Sequence, residues 1–345
     1  MTSFNCILVG NESLLVQCAK VLLGRGHNIQ TVASQNADVI AWADSAGIPV
    51  VAPGKGLEDR IGGQFDWLLS IANLTILPDA LVSRAAKGAI NFHDGPLPRY
   101  AGLNAPVWAR LNGETQHGIT WHMIDGGVDE GDILEQVSFE VSDDDTAFSL
   151  NARCYAAAVE SFPAVVTAMG SGTPNRRQQD LSQRTLCKKN DRPDAAARLD
   201  FSRPVAELVR LVRALDHGGY WNPLALPKVE TTAGVFAVGA AEAAEGSGAP
   251  GTVLQAGDAL VVACVDGAIR LSDLTNLADS PVEAEDVAQA GEVLPAPDAD
   301  LLNAAIARVT PGESHWRKAL NGFSPTELSG ATGGATGIAT REITG

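Results

Sequence analysis

The sequence predicts an α/β protein, a doubly wound parallel sheet followed by a smaller β domain. Over residues 4–95, short apolar runs alternate with amphipathic stretches of helix length, the pattern of strand–helix–strand crossovers. Past residue 230 the pattern changes to short apolar runs broken by turn residues. At 345 residues the chain is also long for one domain. The expected division is a first domain over 1–171, a linker over 172–198, a second domain over 199–305, and a tail or inter-domain linker over 306–345.

The elements follow in order. "FNCILVG" (4–10) is an apolar run of strand length. In "ESLLVQCAKVLLGRG", Leu14, Leu15, Cys18, Val21 and Leu22 share one helical face, and glycine ends the helix. "HNIQTVAS" reads as a strand, "NADVIAWADSAG" as a helix and "IPVVAP" as a short strand. "FDWLLSIA" (65–72) is the next strand, with a helix over "PDALVSRAAKG" that has Pro78 in its first turn. "AINFHDG" is strand again, and residues 117–142 read as two strands joined by an acidic, glycine-rich loop. "DTAFSLNARCYAAAVESFPAVVTAMGSG" is a long amphipathic helix, with Asp143–Asp145 at its acidic start and Asp145 as its cap. Residues 172–198 are polar with a local excess of positive charge. Beyond them come a helix over "PVAELVRLVRALD", short strands with turns over 234–277, and a low-complexity Gly/Thr/Ala end.

Composition excludes some classes. A net charge of −16 opposes nonspecific binding to nucleic acid or to an anionic membrane, since both need a basic field. Five cysteines (6, 18, 154, 187, 264) are scattered without a CxxC, so neither a disulfide framework nor a zinc site is expected, and a reducing cytoplasm is. Cys6 and Cys18 lie in apolar runs and read as core. No basic leader with an apolar region opens the chain, and no apolar run reaches membrane-spanning length. The first strand–helix turn, "VGNESLL", has a single glycine rather than GxGxxG, so no dinucleotide site is expected.

Doubly wound sheets bind ligands at the carboxyl ends of their strands, and one such end carries "INFHDGPLPRYAGLNAP" (Ile90–Pro106). This stretch holds more proline and glycine than a turn needs. Asn91 and His93, two apart, project on one side of an extended strand; Asp129 follows in "GGVDEGDIL". His exchanges protons near neutral pH, Asn offers a neutral donor, and a carboxylate sets the imidazole tautomer. The set suits acyl transfer onto an amine, with Asn91 stabilising an oxyanion, His93 handling the proton and Asp129 orienting His93. No Ser or Cys nucleophile has a place beside it. The residues also admit a structural His93, a loop role for Asp129, or a metal site built from His93, His122, Asp125 and Asp129.

"NFHDGPLPRYAGLNAP" followed by "NGETQHGITWHMIDGGVDEGDIL" resembles the folate-dependent formyltransferase family, whose hallmarks are Asn-x-His, a Leu-Pro-x-Tyr-x-Gly loop and a later Asp-x-Gly-x-Ile/Leu. The resemblance covers about residues 4–190; residues 200–280 resemble the family's small C-terminal domain, an OB-like barrel. It implies a Rossmann-like catalytic domain, catalytic Asn91, His93 and Asp129, and 10-formyltetrahydrofolate as formyl donor. It places the pterin near Thr75, Ile76 and Leu77, near Leu103, and along Asp125, Gly126, Gly127 and Val128 up to Asp129. Pro96, Pro98 and Gly102 are expected to hold the loop rigid and open to a flat folate and an amine.

Two departures bear on the acceptor. Many members have Ser-Leu-Leu-Pro where this chain has Asp94, Gly95, Pro96, Leu97 and Pro98, and the Arg common after the loop Tyr is Ala101. That Arg lies where initiator-tRNA formyltransferases meet RNA. "HDGPLPRYAGLNA" resembles the loop of formyltransferase domains embedded in nonribosomal peptide synthetases, and "ESHWRKALNGFSPTEL" resembles the entry to a following synthetase domain. The expected acceptor is therefore an amine carried by such a synthetase, on a carrier protein where one is present, with no nucleic acid and no membrane partner. The alternatives are a nucleotide-linked amino sugar and an idle, formyltransferase-like docking module. Six basic residues (Arg176, Arg177, Arg184, Lys188, Lys189, Arg192) in the linker are where an anionic partner would be drawn.

Overall fold

The computed structural model describes residues 2–171 and 174–320. Its first half builds one seven-stranded sheet. The chain runs β1 (Asn5–Val9), α1 (Ser13–Gly24), β2 (Asn28–Ala33), α2 (Ala37–Ser45), β3 (Val50–Val51), α3 (Leu57–Arg60), β4 (Phe65–Ser70), α4 (Asp79–Val82) and β5 (Ala85–His93). It continues with β6 (Ala101–Gly102), α5 (Ala105–Leu111), β7 (Gln116–Met123), β8 (Ile133–Glu140) and α6 (Ala147–Ser171). The strand order is β3-β2-β1-β4-β5-β7-β8. The first five are parallel, and β7 and β8 join as an antiparallel hairpin at the β5 edge.

Both faces of the sheet are buried, because neighbouring residues of β1 face opposite layers. Cys6 and Leu8 pack with α1, α2 and α6 around Trp121 and Phe162, while Ile7 and Val9 pack with Leu57 and Ile61 of the α3 region and with Leu81 of α4. α1 turns Leu14, Leu15, Cys18 and Leu22 inward. Asn36 caps α2, its side chain accepting from the Asp38 and Val39 amides.

The helix expected over "PDALVSRAAKG" stops after one turn, at Val82. Ala85 and Gly88 already pair with Phe65 and Trp67 of β4, so ladder bonds override the helical preference of "SRAAK". Arg84 locks the change of direction, donating to the carbonyls of Glu58, Ile61 and Gly63. The expected cap of α6 also differs. Thr146 and Ser149 exchange reciprocal bonds there, while Asp145 accepts from the Ser142 amide, Ser149 and Arg153.

The single glycine of the first strand–helix turn has a packing reason. A Cβ on Gly10 would lie 1.9 Å from the carbonyl oxygen of Ile71, so the turn after β1 can touch the loop after β4 only as glycine.

The second half holds α7 (Val205–Ala214) and a five-stranded antiparallel sheet, in the order β10-β11-β14-β13-β12. Its strands are β10 (Lys228–Thr231), β11 (Gly234–Ala244), β12 (Val253–Ala256), β13 (Leu260–Cys264) and β14 (Gly267–Thr275). α7 covers this sheet with Val205, Leu208 and Val212, which join Val229, Val262, Ile269 and Leu271 in a separate core.

The segment expected as a flexible linker is held along much of its length. Arg177 bridges Ile133, and β9 (Leu186–Cys187) pairs with β6. The buried Gln179 amide donates to the carbonyls of Asp129 and Gly131. Three of the six basic residues have partners within the chain: Arg177 bonds Gln136, Arg184 bonds Glu130 and the Val128 carbonyl, and Arg192 pairs with Glu313. A helix, α9 (Ala299–Leu320), runs through the expected boundary at 306, and a four-residue turn of helix, α8 (Ala284–Val287), precedes it. The "NGFSPTEL" part of the tail, from residue 321, lies outside the described residues.

Candidate functional site

Strand pairing assembles the site. In the β5–β7 register Asn91 lies opposite His122 and His93 opposite Thr120. Two polar pairs therefore share one face at the carboxyl end of β5. Asp129 arrives from the loop between β7 and β8 with φ at +56°, in the left-handed region that Asp tolerates better than most side chains. Gln179 and Arg184 hold this loop from the strap that follows α6.

His93 is buried at 4% exposure, and its Nε2 donates to the Tyr100 carbonyl at 2.7 Å. Nδ1 is thereby left as the basic nitrogen, 3.6 Å from Asp129 Oδ2 and 3.9 Å from Asp94 Oδ1. Asp129 Oδ2 also accepts the Gly102 amide at 2.7 Å, and its Oδ1 lies 3.4 Å from His122 Nε2. Burial alone would raise the Asp129 carboxyl, but the adjacent His122 and His93 imidazoles and the Gly102 N–H bring it down to about 2.

His122 links the set. Its Nδ1 donates to the Met123 carbonyl at 2.8 Å, and its Nε2 lies 3.1 Å from the Asn91 amide nitrogen. One Asn91 N–H is thus anchored and the other remains for a ligand. Sequence reasoning weighed His122 only as a metal ligand. The signal for more was "TWH": Thr120 and His122, two apart in an apolar strand, repeat the spacing of Asn91 and His93.

The loop after β5 is clamped by the hairpin. Thr120 Oγ1 donates to the Gly95 carbonyl and accepts the Leu97 amide, and Gln136 donates to the Leu97 carbonyl. His117 Nε2 donates to the Asp94 carbonyl at 2.9 Å. Gly102, at φ +97°, passes so close to β9 that a Cβ would lie 2.1 Å from the Cys187 carbonyl oxygen.

His117 is fully buried, and its Nδ1 has no partner. A second proton there would bring in a buried charge, so burial pushes its pKa down to about 4. The unfolded chain then holds the extra proton between about pH 6.5 and 4, and the native state does not. Stability is full above the unfolded value and lost as pH falls through this window, by about 3 kcal/mol. Urea unfolding followed through buried Trp67 and Trp121 should show this loss; His117→Gln, which keeps an N–H donor and cannot titrate, should flatten it.

The residues expected around a pterin divide into two groups. Thr75, Ile76 and Leu77 line a cavity of about 120 Å³ with Val9, Leu57 and Asn73, beyond the β4 end that pairs with Asn91. Asn73 already satisfies Thr75, accepting its N–H and donating to its carbonyl. Ile76 and Leu74 stand 82% and 83% exposed, apolar surface that a flat heterocycle would cover. Asp125, Gly126, Gly127 and Val128 form the loop that delivers Asp129, and the Leu103 amide is taken by the Cys187 carbonyl. Apolar walls beside a polar cluster fit a folate. Among the described residues no group of three His, Cys, Asp or Glu side chains is arranged to hold a metal ion, and no helix is long and apolar enough to cross a membrane.

Comparison with known proteins gives the family. Residues 64–166 match the formyl transferase family model and residues 193–291 the formyl transferase C-terminal domain model. Methionyl-tRNA formyltransferase of Ectopseudomonas mendocina (strain ymp) is 30% identical over 304 residues, covering 83% of this chain and 94% of the relative. The chain belongs to the formyltransferase family. The corresponding enzyme of Stutzerimonas stutzeri (strain A1501) is 33% identical over 288 residues, 78% of this chain and 88% of that one. In fold, this formyltransferase is similar to WlaRD, a sugar 3N-formyl transferase solved with dTDP and 5-N-formyl-THF. The TM-score is 0.64 at 17% identity, over 79% of this chain and 98% of that one. The formyltransferase moves a formyl group from 10-formyltetrahydrofolate to an amine.

Proposed function

We propose that the acceptor is the amino group of an amino acid or peptide building block carried by a nonribosomal peptide synthetase, and that Asn91, His93 and Asp129 carry the reaction. The arrangement at His93 carries the catalytic part. Nδ1 is the free base, Asp129 faces it to hold the imidazolium that forms, and Asn91 keeps one N–H for the developing oxyanion. Thr75–Leu77, Leu103 and Asp125–Val128 hold the folate. Replacing Asn91 with Ala should cost about 3 kcal/mol in the barrier, read as a fall in kcat with the folate Kd unchanged; an effect confined to the folate Kd would make Asn91 a binding residue.

The net charge of −16 supports a carrier-linked acceptor over tRNA, whose phosphates need a basic field. Ala101 points the same way: it is fully buried and adds no cation to the loop. Arg176, Lys188 and Lys189 are exposed on the strap and suit the acidic surface or phosphopantetheine phosphate of a carrier. The test offers 10-formyltetrahydrofolate with three acceptors: an aminoacyl-loaded carrier domain, initiator methionyl-tRNA and a dTDP-linked amino sugar. Formylation is read by mass. The carrier-bound amine should have the highest kcat/KM and lose it when Arg176, Lys188 and Lys189 are reversed to Glu. A higher kcat/KM with the tRNA or the sugar overturns the acceptor; turnover with none, while folate binds, makes the chain an idle docking module.

A further inference from the structure

Beside His93 stands a carboxylate that the reaction described so far leaves without work. Asp94 Oδ1 lies 3.9 Å from His93 Nδ1, the nitrogen that also faces Asp129 at 3.6 Å. The Asp94 side chain keeps 28% exposure, against 12% for Asp129 and 5% for His93. Of the groups around Nδ1, Asp94 is thus the one an incoming ligand reaches most readily. Among the described residues the one ionisable side chain that could pair with it within 4 Å is His93 itself.

The backbone sets this position. The Asp94 carbonyl is tied down by His117, and Gly95 folds so tightly against the imidazole that a Cβ there would lie 2.7 Å from His93 Nε2. Asp129 differs from Asp94 in being occupied, with one oxygen on the Gly102 amide and the other facing His122. Burial and the neighbouring Asp129 charge both push the Asp94 carboxyl up from its usual range, against the pull of His93. A carboxylate so placed is a stronger base than a free one.

The chemistry leaves one proton unassigned. Aliphatic amines have pKa values of about 8 to 10 and arrive at neutral pH as ammonium ions. Such an acceptor must shed two protons to become a formamide, and His93 Nδ1 holds one at a time. We propose that Asp94 receives the acceptor as its ammonium ion and takes the first proton, so that His93 is kept for the second. The assignment rests on formyl transfer to an amine and holds for any acceptor of that class.

In the balanced step, the ammonium gives a proton to Asp94 and becomes a neutral amine. Its lone pair forms the new bond to the formyl carbon, while the bond from that carbon to N10 of the folate breaks and N10 takes the pair. One of the two protons left on the amine nitrogen moves to His93 Nδ1 and from there to N10, and the other stays in the formamide. Formamide and tetrahydrofolate leave, His93 is neutral again, and Asp94 releases its proton to water.

The test compares wild type with Asp94→Asn, the isosteric change, in the full chain and with two small acceptors. Propylamine is an ammonium ion at pH 7.5, a value set by the assay buffer at roughly three units below an alkylamine pKa; hydroxylamine is neutral there and needs no first deprotonation. The loss in kcat/KM with propylamine should exceed that with hydroxylamine by roughly 100-fold. A binding readout needs no turnover: methylammonium chloride, titrated with tetrahydrofolate present, should shift the His93 ring signals in the NMR spectrum of wild type and not of Asp94→Asn. Equal losses with both acceptors, or equal shifts in both proteins, overturn the role. If neither amine is formylated by wild type yet methylammonium still shifts His93 through Asp94, the ammonium site stands and free small amines are excluded as acceptors.

Discussion

Replacing His93 with Ala should lower kcat/KM for formyl transfer by roughly 10²–10⁴-fold while the Kd for folate moves only a few-fold. The size follows from the geometry. Nε2 is committed to the Tyr100 carbonyl at 2.7 Å, so Nδ1 alone can accept a proton, and Asp129 stands 3.6 Å away to stabilise the cation that results. The ring packs against Gly95 and does not line the cavity around Ile76. Its loss should therefore spare folate affinity. Single-turnover kinetics separates the two effects, and a variant within a few-fold of wild type would remove His93 from the chemistry.

Asp129→Asn should cost roughly 10²–10³-fold in kcat, close to the loss expected when a charge that holds an imidazolium is deleted without changing its shape. Asp129 accepts the Gly102 amide and faces the imidazolium of His93 with the same oxygen, while its other oxygen lies beside His122. An amide offers one acceptor oxygen and turns its NH₂ toward a neighbour that needs an acceptor. Because hydrogen bonds and nearby imidazoles hold the Asp129 carboxyl at about 2, it stays ionised as pH falls through the working range. The acidic limb of wild-type activity should then lie well above pH 2 and belong to another group. A pH–rate profile whose acidic limb falls at Asp129's own pKa, or an Asn variant near wild-type rate, would contradict this role.

Much of this was legible in the chain alone. The apolar period of two in β1 and the helical face of α1 report burial directly, since a side chain's transfer from water depends on its own surface. Asn91 and His93 could be set on one face because a strand alternates strictly. Their pairing with His122 and Thr120 could not, since register depends on which strands meet. The same limit explains "SRAAKG": local preference favours helix, and only the partner strand β4 shows that ladder bonds win. Residues 172–198 read as a linker because they are polar, yet Gln179 is buried for the carbonyls of Asp129 and Gly131. Such a bond joins residues some fifty positions apart in the chain, and composition carries no trace of it.

The division has one physical source. Alternation, caps and turn residues are properties of a few consecutive residues, and the sequence by itself determined the doubly wound domain, the second β domain and the Asn-x-His motif. Tautomer, carboxylate pKa and the exposure of Asp94 depend on groups brought from distant strands into a space with little water. There an acceptor at 2.7 Å or a charge at 3.9 Å decides which nitrogen holds the proton. Only the tertiary structure decided those.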